Sequence, residues 1–202
     1  MVAEFQAIIL AGGKGLSLGS LTNEDTPKCL LPVNDKPLLY YQLHLLETSK
    51  FDMVFIVIPE EMKLHVNAFL ETYCGKISIQ VVIIDNELET CDVLREMQDK
   101  IISDHFLVLS GDLISNVSIH SLSDIHRTKE ATLTMLLKEE RKHHHTFKNE
   151  KRENETIDCI GLTQDDQVVF LSRGAYMEET ISFPKALLRK VPNMVTRTGW
   201  LY

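Results

Sequence analysis

The chemistry-bearing residues nearest the start of the sequence are Gly12, Gly13, Lys14 and Gly15, which follow a short apolar run. Closely spaced glycines let backbone N–H groups converge on a phosphate, and a lysine beside them adds a point charge. The same residues also suit a tight turn without a ligand, because such turns need the backbone freedom of glycine. Taken alone, this glycine loop (residues 12–15) leaves both interpretations open.

A lysine in a rigid setting, Lys28, follows soon after the glycine loop. It stands between apolar residues and two prolines in the segment Pro27–Val33. A lysine that is merely solvated does not need such rigid flanks, so the pattern favours a functional side chain. A purely structural turn explains the segment equally well.

The third candidate is a carboxylate, Asp112, which follows the apolar run Leu107–Leu109 and the pair Ser110 and Gly111. A carboxylate at the end of a buried strand can bridge a hard cation such as Mg²⁺ to phosphates. It can also cap the turn that follows the strand.

The elements that must position these candidates are short apolar strands that alternate with amphipathic helices. The predicted strands cover residues 5–10, 53–58, 77–84, 105–109 and 131–137, and the predicted helices cover residues 37–49, 60–72, 91–101 and 118–128. This alternation implies right-handed crossovers and a mostly parallel central sheet, the α/β class. In such sheets ligands bind beyond the carboxyl ends of the strands, where the glycine loop and Asp112 are expected.

The second half of the chain has a less regular pattern. Residues 138–156 are strongly polar and are predicted to form an exposed excursion, whose adjacent histidines His143–His145 are interpreted as solvated and not as metal ligands. Residues 158–163 and 168–172 are predicted to form a hairpin, residues 184–190 a short helix and residues 194–202 a strand. Because an apolar strand is an unusual natural terminus, the domain is expected to continue beyond this sequence.

Composition excludes several classes of function. With 29 acidic and 21 basic residues, the formal net charge is -8, so no dominant positive field is available to bind nucleic acid. The cysteines Cys29, Cys74, Cys91 and Cys159 lie far apart without a CxxC pair, which favours reduced thiols over disulfides or a zinc site. No apolar run approaches the length of a membrane span. These features predict a soluble cytoplasmic protein.

In this order, the glycine loop, Lys28 and Asp112 resemble the sugar-1-phosphate nucleotidyltransferase family. In that family the loop holds a nucleoside triphosphate, the lysine binds phosphate and the aspartate binds magnesium. The resemblance runs from Phe5 through the end of the chain. It implies that residues 1–202 form one Rossmann-like domain, an α/β three-layer sandwich with a mostly parallel central sheet. It also implies that the protein needs Mg²⁺ only if it is an active enzyme.

Two departures from the family pattern imply a vestigial site without catalytic residues. Active members have Gly-Thr-Arg after the loop, whereas Leu16 and Ser17 follow Gly15 here, so the arginine that stabilises the transferring phosphates is missing. Glu89 replaces a glycine that lets the nucleobase approach the backbone, and it adds bulk and negative charge. The second metal carboxylate of active relatives would lie beyond Tyr202. The residues interpreted as vestigial are Gly12, Gly13, Lys14, Gly15, Lys28 and Glu89 for nucleotide binding and Asp112 for the metal.

Longer segments resemble one branch of this family, the gamma subunits of eukaryotic translation initiation factor 2B. These segments are residues 4–7, 27–47, 107–137, 158–161 and 198–199. The resemblance implies a non-catalytic cytosolic subunit that assembles with a homologous epsilon subunit and the other subunits of factor 2B, and that supports guanine-nucleotide exchange on initiation factor 2. It also implies a C-terminal left-handed β-helix of hexapeptide repeats in the full-length protein, which these residues do not contain. No cofactor, nucleic acid or membrane partner is expected.

Two other functions remain open at this point. One is an active sugar-1-phosphate nucleotidyltransferase that retains Lys28 and Asp112, although it must accommodate Leu16, Ser17 and Glu89. The other is a sensor that binds a nucleotide or sugar phosphate without turning it over, for which the glycine loop is the best support.

Overall fold

A computed structural model describes residues 4–13, 15, 18, 21–22, 26–85, 88–137, 158–162 and 167–173. The chain divides into two compact units, one up to Thr132 and one from Leu133 onward. The first unit holds a parallel sheet with helices, and the second holds a hairpin.

The elements of the first unit alternate between strand and helix as the sequence predicts. Its strands are β1 (Phe5–Leu10), β2 (Pro32–Val33), β3 (Lys36–Pro37), β4 (Met53–Pro59), β5 (Ser78–Ile84) and β6 (His105–Ser110). Its helices are α1 (Leu38–Thr48), α2 (Lys63–Thr72), α3 (Thr90–Glu96) and α4 (Ile119–Thr128). Short 3-10 turns lie at Lys28–Leu30, Glu60–Met62 and Gln98–Lys100.

Among the described residues, the central sheet of this unit has four parallel strands in the order β5-β4-β1-β6. Its middle strands are apolar on both faces, and Ala7, Ile8 and Ile9 of β1 are fully buried. A strand buried on both faces reads as a continuous apolar run, which is why β1 and β4 were predictable from sequence. The α/β class and the mostly parallel sheet are confirmed.

Helices cover the sheet on both faces. Val93 of α3 and Met97 just after it pack in one cluster with Ile8, Phe55 and Val57 of the sheet. Helices α1 and α2 lie in the connections from β1 to β4 and from β4 to β5, which run in one direction across the sheet, whereas α3 lies in the connection back to β6. Because each crossover is right-handed, α1 and α2 cover the face opposite to α3.

The return to β6 creates a topological switch point between β1 and β6. The chain leaves β1 toward β4 on one side, whereas β6 joins β1 on the other side. A crevice forms at the carboxyl ends of two such strands, and this is where open α/β sheets bind ligands. The glycine loop follows β1 and Asp112 follows β6, so the topology brings these two candidates to one place.

Helix boundaries differ slightly from the prediction for physical reasons. Pro37 has an extended backbone (φ -61°, ψ 151°) and precedes the first helical residue, so α1 begins at Leu38 and not at the proline. The regions predicted as helices 60–72 and 91–101 are each divided between an α-helix and a 3-10 turn. Within the described residues, no helix is long and apolar enough to cross a membrane.

The strand predicted at residues 131–137 is wrong. This segment is described but has no strand pairing, and the Leu133 and Leu136 side chains are 73% and 37% exposed. Such residues form a strand only where a neighbouring strand satisfies their backbone, and no strand of the described residues pairs with this segment.

In the second unit, β7 (Asp158–Leu162) pairs with β8 (Val168–Arg173) in an antiparallel hairpin, which confirms that prediction. The polar excursion at 138–156, the histidines His143–His145, the helix predicted at 184–190 and the strand predicted at 194–202 lie outside the described residues.

Candidate functional site

The carboxyl ends of β1 and β6 lie side by side and are joined at close range. Leu10 is paired with Ser110, and the Gly111 N–H donates to the Leu10 carbonyl at 2.8 Å. A Cβ added at Gly111 would lie 2.6 Å from Cα of Ala11, closer than real side chains approach a backbone atom. Only glycine therefore lets the turn before Asp112 approach the start of the glycine loop.

The glycine loop is held in place by its neighbours. Gly15 has a φ of +64°, the left-handed region that favours glycine. Its carbonyl accepts hydrogen bonds from the Thr22 hydroxyl at 2.9 Å and from the Leu18 N–H at 2.8 Å. A Cβ at Gly15 would also lie 3.3 Å from Cβ of Lys28. Lys14, Leu16 and Ser17 lie outside the described residues.

Lys28 is the first residue of a short 3-10 turn, and the buried side chain of Cys29 anchors this turn. Pro27 has an extended backbone before the turn, and the Leu31 N–H closes it on the Lys28 carbonyl at 3.2 Å. Cys29 is 1% exposed, and its burial raises the pKa of the thiol to about 12. The burial of Cys29 anchors the turn, and Lys28 lies beside the glycine loop. The side chain of Lys28 lies 4.0 Å from a Cβ built at Gly13.

Lys28 and Asp112 form an ion pair at this switch point. The Lys28 ammonium contacts Oδ2 of Asp112, and the two side chains are 25% and 12% exposed. The hydroxyl of Ser110 donates to the other carboxylate oxygen, Oδ1, at 2.5 Å. Both oxygens of Asp112 thus have a polar partner within the protein.

A buried amide fixes the residue after Asp112. Gln42 of α1 is fully buried, and its Nε2 donates to the Leu113 carbonyl at 3.1 Å. Its Oε1 has no hydrogen-bond partner among the described residues. Gln42 therefore ties α1 to the turn that carries Asp112.

The structure places Glu89 apart from this group. Glu89 precedes α3 in an extended conformation (φ -80°, ψ 165°), its side chain is exposed, and its carbonyl accepts from the Val93 N–H at 3.0 Å. It follows β5, which is separated from β1 by β4. Glu89 thus lies on the same carboxyl edge of the sheet, and no contact described joins it to Lys28 or Asp112.

The magnesium ion of active family members would use Asp112 as a ligand. Here Lys28 and Ser110 already engage its two carboxylate oxygens. Among the described residues, no group of three or more His, Cys, Asp or Glu side chains is arranged to hold a metal ion. The residues fit an internal ion pair better than a magnesium site, because a metal would have to displace the Lys28 ammonium.

Sequence reasoning missed three residues that shape the site. Thr22 holds Gly15, and nothing in its sequence context marks it. Ser110 stands two residues before Asp112, but its sequence context does not reveal the hydrogen bond that it donates. Gln42 carries a usable signal, because it lies on the same helix face as Leu39 and Leu46 and must therefore be buried.

A family model described as "Nucleotidyl transferase" matches residues 6–147 of this chain. The chain belongs to the nucleotidyl transferase family. This span contains β1 from its second residue, the other strands up to β6, and the site built around Lys28 and Asp112. The fold expected from the family resemblance is therefore confirmed.

Among similar proteins of this family is the translation initiation factor eIF2B subunit gamma of Dictyostelium discoideum, which is 32% identical over 97% of this chain and 48% of that protein. The eIF2B subunit epsilon of Schizosaccharomyces pombe is 28% identical over 70% of this chain and 22% of that protein. The chain thus spans about half the length of its gamma-subunit relative. The predicted resemblance to gamma subunits is confirmed.

A solved structure has the same fold. The crystal structure of a proposed glucose-1-phosphate thymidylyltransferase of Bacillus anthracis, in complex with a sucrose, superposes with a TM-score of 0.66 and 21% identity, covering 84% of this chain and 64% of that chain. At this level of identity the similarity establishes the nucleotidyl transferase fold and not the activity.

Proposed function

We propose that this chain is the nucleotidyltransferase-like domain of a gamma subunit of translation initiation factor 2B, and that it performs no nucleotidyl transfer. The observation that carries the proposal is the similarity to a gamma subunit along nearly the whole chain. A domain that keeps the fold over this length but has lost nucleotidyl transfer must have another function, and assembly with other subunits is such a function.

The chemical argument concerns the residues after the glycine loop. Leu16 and Ser17 stand where active members have threonine and arginine, and neither can supply a cation to the transferring phosphates. A preorganised cation at a phosphoryl transition state is commonly worth a factor of ~10³ or more in rate. Removal of the cation disables the reaction while leaving the fold intact.

The ion pair explains why Lys28 and Asp112 persist in such a domain. Each side chain is mostly buried and each has the other as its partner. Loss of one would leave an uncompensated charge in a partly buried position, which is destabilising. Lys28 and Asp112 therefore have a structural reason to be present, independent of any nucleotide.

The proposed partners follow from the relatives. The chain would assemble in the cytosol with a homologous epsilon subunit and the other subunits of factor 2B, and the complex would release guanine nucleotide from initiation factor 2. The proposal requires no cofactor, and the net charge of -8 gives no support for a nucleic-acid surface.

The proposed lack of nucleotidyltransferase activity can be tested directly. The full-length protein is incubated with Mg²⁺, each nucleoside triphosphate and common hexose 1-phosphates, and pyrophosphate release is measured. We expect no release above the background without protein. Turnover near ~1 per second, an ordinary enzyme rate, would instead support an active nucleotidyltransferase.

A second candidate is a sensor of nucleotides or sugar phosphates. It is favoured by the held glycine loop, whose Gly15 conformation and neighbouring Lys28 are compatible with an anion. Calorimetry with a nucleoside triphosphate distinguishes the two functions. Micromolar affinity without turnover would favour the sensor, and no binding would favour the purely structural domain.

A further inference from the structure

Strand β5 forms one outer edge of the described sheet. It pairs with β4 over all seven of its residues, from Ser78 with Met53 to Ile84 with Pro59, without a break in register. No other strand of the described residues lies on its far side. An outer strand presents a row of backbone N–H and C=O groups to a further strand.

The hydrogen bonds identify which residues of β5 face outward. The Ser78 N–H donates to the Asp52 carbonyl at 2.9 Å, so the backbone of Ser78 faces β4. Because the backbone groups of successive strand residues point to opposite sides, those of Ile79, Val81 and Ile83 face away from β4. These residues supply an alternating set of donors and acceptors along the edge.

The composition of β5 does nothing to block pairing. Natural edge strands are commonly protected by lysine, proline, a bulge or a short length. β5 reads Ser-Ile-Gln-Val-Val-Ile-Ile, so it contains no charged residue and no proline, and its five β-branched aliphatic residues favour an extended chain. The edge is therefore suited to accept another strand.

We propose that β5 pairs antiparallel with the equivalent edge strand of the epsilon subunit, joining the two sheets into one. This inference rests on the proposed function, which supplies the partner. The similarity to an epsilon subunit covers 70% of this 202-residue chain, and a continuous stretch of that length must include residues 78–84. By this similarity we expect the partner to have an equivalent strand at the same edge, and two equivalent edges related by a pseudo-twofold axis meet antiparallel.

Hydrogen exchange of the full-length protein, alone and in complex with the epsilon subunit of the same organism, tests this pairing without mutation. We expect the outward amides of Ile79, Val81 and Ile83 to exchange at least ~10-fold more slowly in the complex, because they become hydrogen-bonded. The amide of Gln80, which faces β4, is the internal control and should change little. Unchanged exchange in residues 78–84 of a stable complex would overturn the pairing.

The variant Val81→Pro tests the same edge by affinity. Proline removes an outward N–H and leaves the hydrogen bonds toward β4, a position where edge strands tolerate it. We expect at least ~10-fold weaker binding of the epsilon subunit with an unchanged circular dichroism spectrum. The control Leu64→Lys, at a 76% exposed apolar residue of α2, should bind as the parent does. If Val81→Pro does not fold, the exchange measurement decides.

The outcomes separate this inference from the proposed function. A complex that forms and supports guanine-nucleotide exchange, while residues 78–84 stay unprotected and Val81→Pro binds normally, refutes the edge pairing alone. Failure to form a complex refutes the proposed function and the pairing with it. Strong protection of residues 78–84 in the isolated protein would show that the edge is covered by its own chain or a second copy, and would also refute the pairing.

Discussion

The ammonium of Lys28 contacts the carboxylate of Asp112, although one residue follows the glycine loop and the other follows β6. This ion pair joins the two segments that form the switch-point crevice. Its side chains are mostly buried, and Ser110 also donates to Asp112. Through this contact, the Lys28 ammonium and the Asp112 carboxylate each have a charged partner within the protein.

We expect Lys28→Met and Asp112→Asn each to lower the free energy of unfolding by about 1–3 kcal/mol, because each leaves its partner as an unpaired, partly buried charge. The double variant should lose less than the sum of the two, since it removes both charges together. Urea denaturation of the four proteins gives the coupling energy.

The exposed pair Arg95 and Asp92 is a matched control for this cycle. Its side chains are 72% and 46% exposed, so water screens the attraction between them. The coupling energy of Arg95→Met with Asp92→Asn should be about 0.2–0.5 kcal/mol. An equally small value for Lys28 and Asp112 would refute a structural role for that pair.

Gly111→Ala should destabilise the protein by about 1–3 kcal/mol, because the new methyl group must displace the Ala11 backbone 2.6 Å away. Gly13→Ala is the control, since its methyl group would make only an ordinary van der Waals contact, with Cδ of Lys28 at 4.0 Å. Thermal unfolding of both variants measures the difference. Equal stability of the Gly111→Ala and Gly13→Ala variants would contradict the close approach of Gly111 to the Ala11 backbone.

Cys29 should resist alkylation at pH 8 while Cys74 and Cys91 react. Burial raises the pKa of the Cys29 thiol from 9.0 to about 12, whereas the other two side chains are exposed. Iodoacetamide labelling followed by peptide mass spectrometry reports each thiol separately. Because the folded pKa is the higher one, the neutral Cys29 thiol costs no stability below pH 9, and stability should fall as the pH rises from 9 toward 12. Rapid labelling of Cys29 in the native protein would contradict its burial.

Nucleotide affinity should be weak and should rise in Glu89→Gly, if Glu89 repels a polyanion at this sheet edge. Loss of one nearby negative charge and of its side chain would strengthen binding by up to about tenfold, or about 1.4 kcal/mol. Calorimetry with a nucleoside triphosphate measures the change. Glu96→Gln, at the exposed far end of α3, controls for net charge. An equal effect of both substitutions would show that Glu89 does not act locally.

Much of this fold could be predicted because its middle strands, β1 and β4, are buried on both faces. The apolar runs that became β1, β4, β5 and β6 are too short for helices, and parallel pairing then brings the glycine loop and Asp112 to one edge. Residues 131–137 have the same kind of composition, yet they form no strand. Strand formation depends on a neighbouring edge, which local sequence does not contain.

The details of the site depend on contacts between distant segments, and these could not be predicted from local patterns. Neither the bond from Thr22 to the Gly15 carbonyl nor the approach of Gly111 to Ala11 leaves a sequence signature. The role of Gln42 was accessible in part, since its position on the buried face of α1 required a partner. The identity of that partner, the Leu113 carbonyl, required the fold.

Guanine-nucleotide release from initiation factor 2 is the measurement that tests the central claim most directly. The full-length protein, the epsilon subunit of the same organism and the mixture of both are each added to initiation factor 2 loaded with a labelled guanine nucleotide. We predict that the mixture releases nucleotide faster than the epsilon subunit alone and that the full-length protein alone has no effect. Robust release by this protein without a partner, or no gain in the mixture, would contradict its assignment as a non-catalytic subunit of the exchange factor.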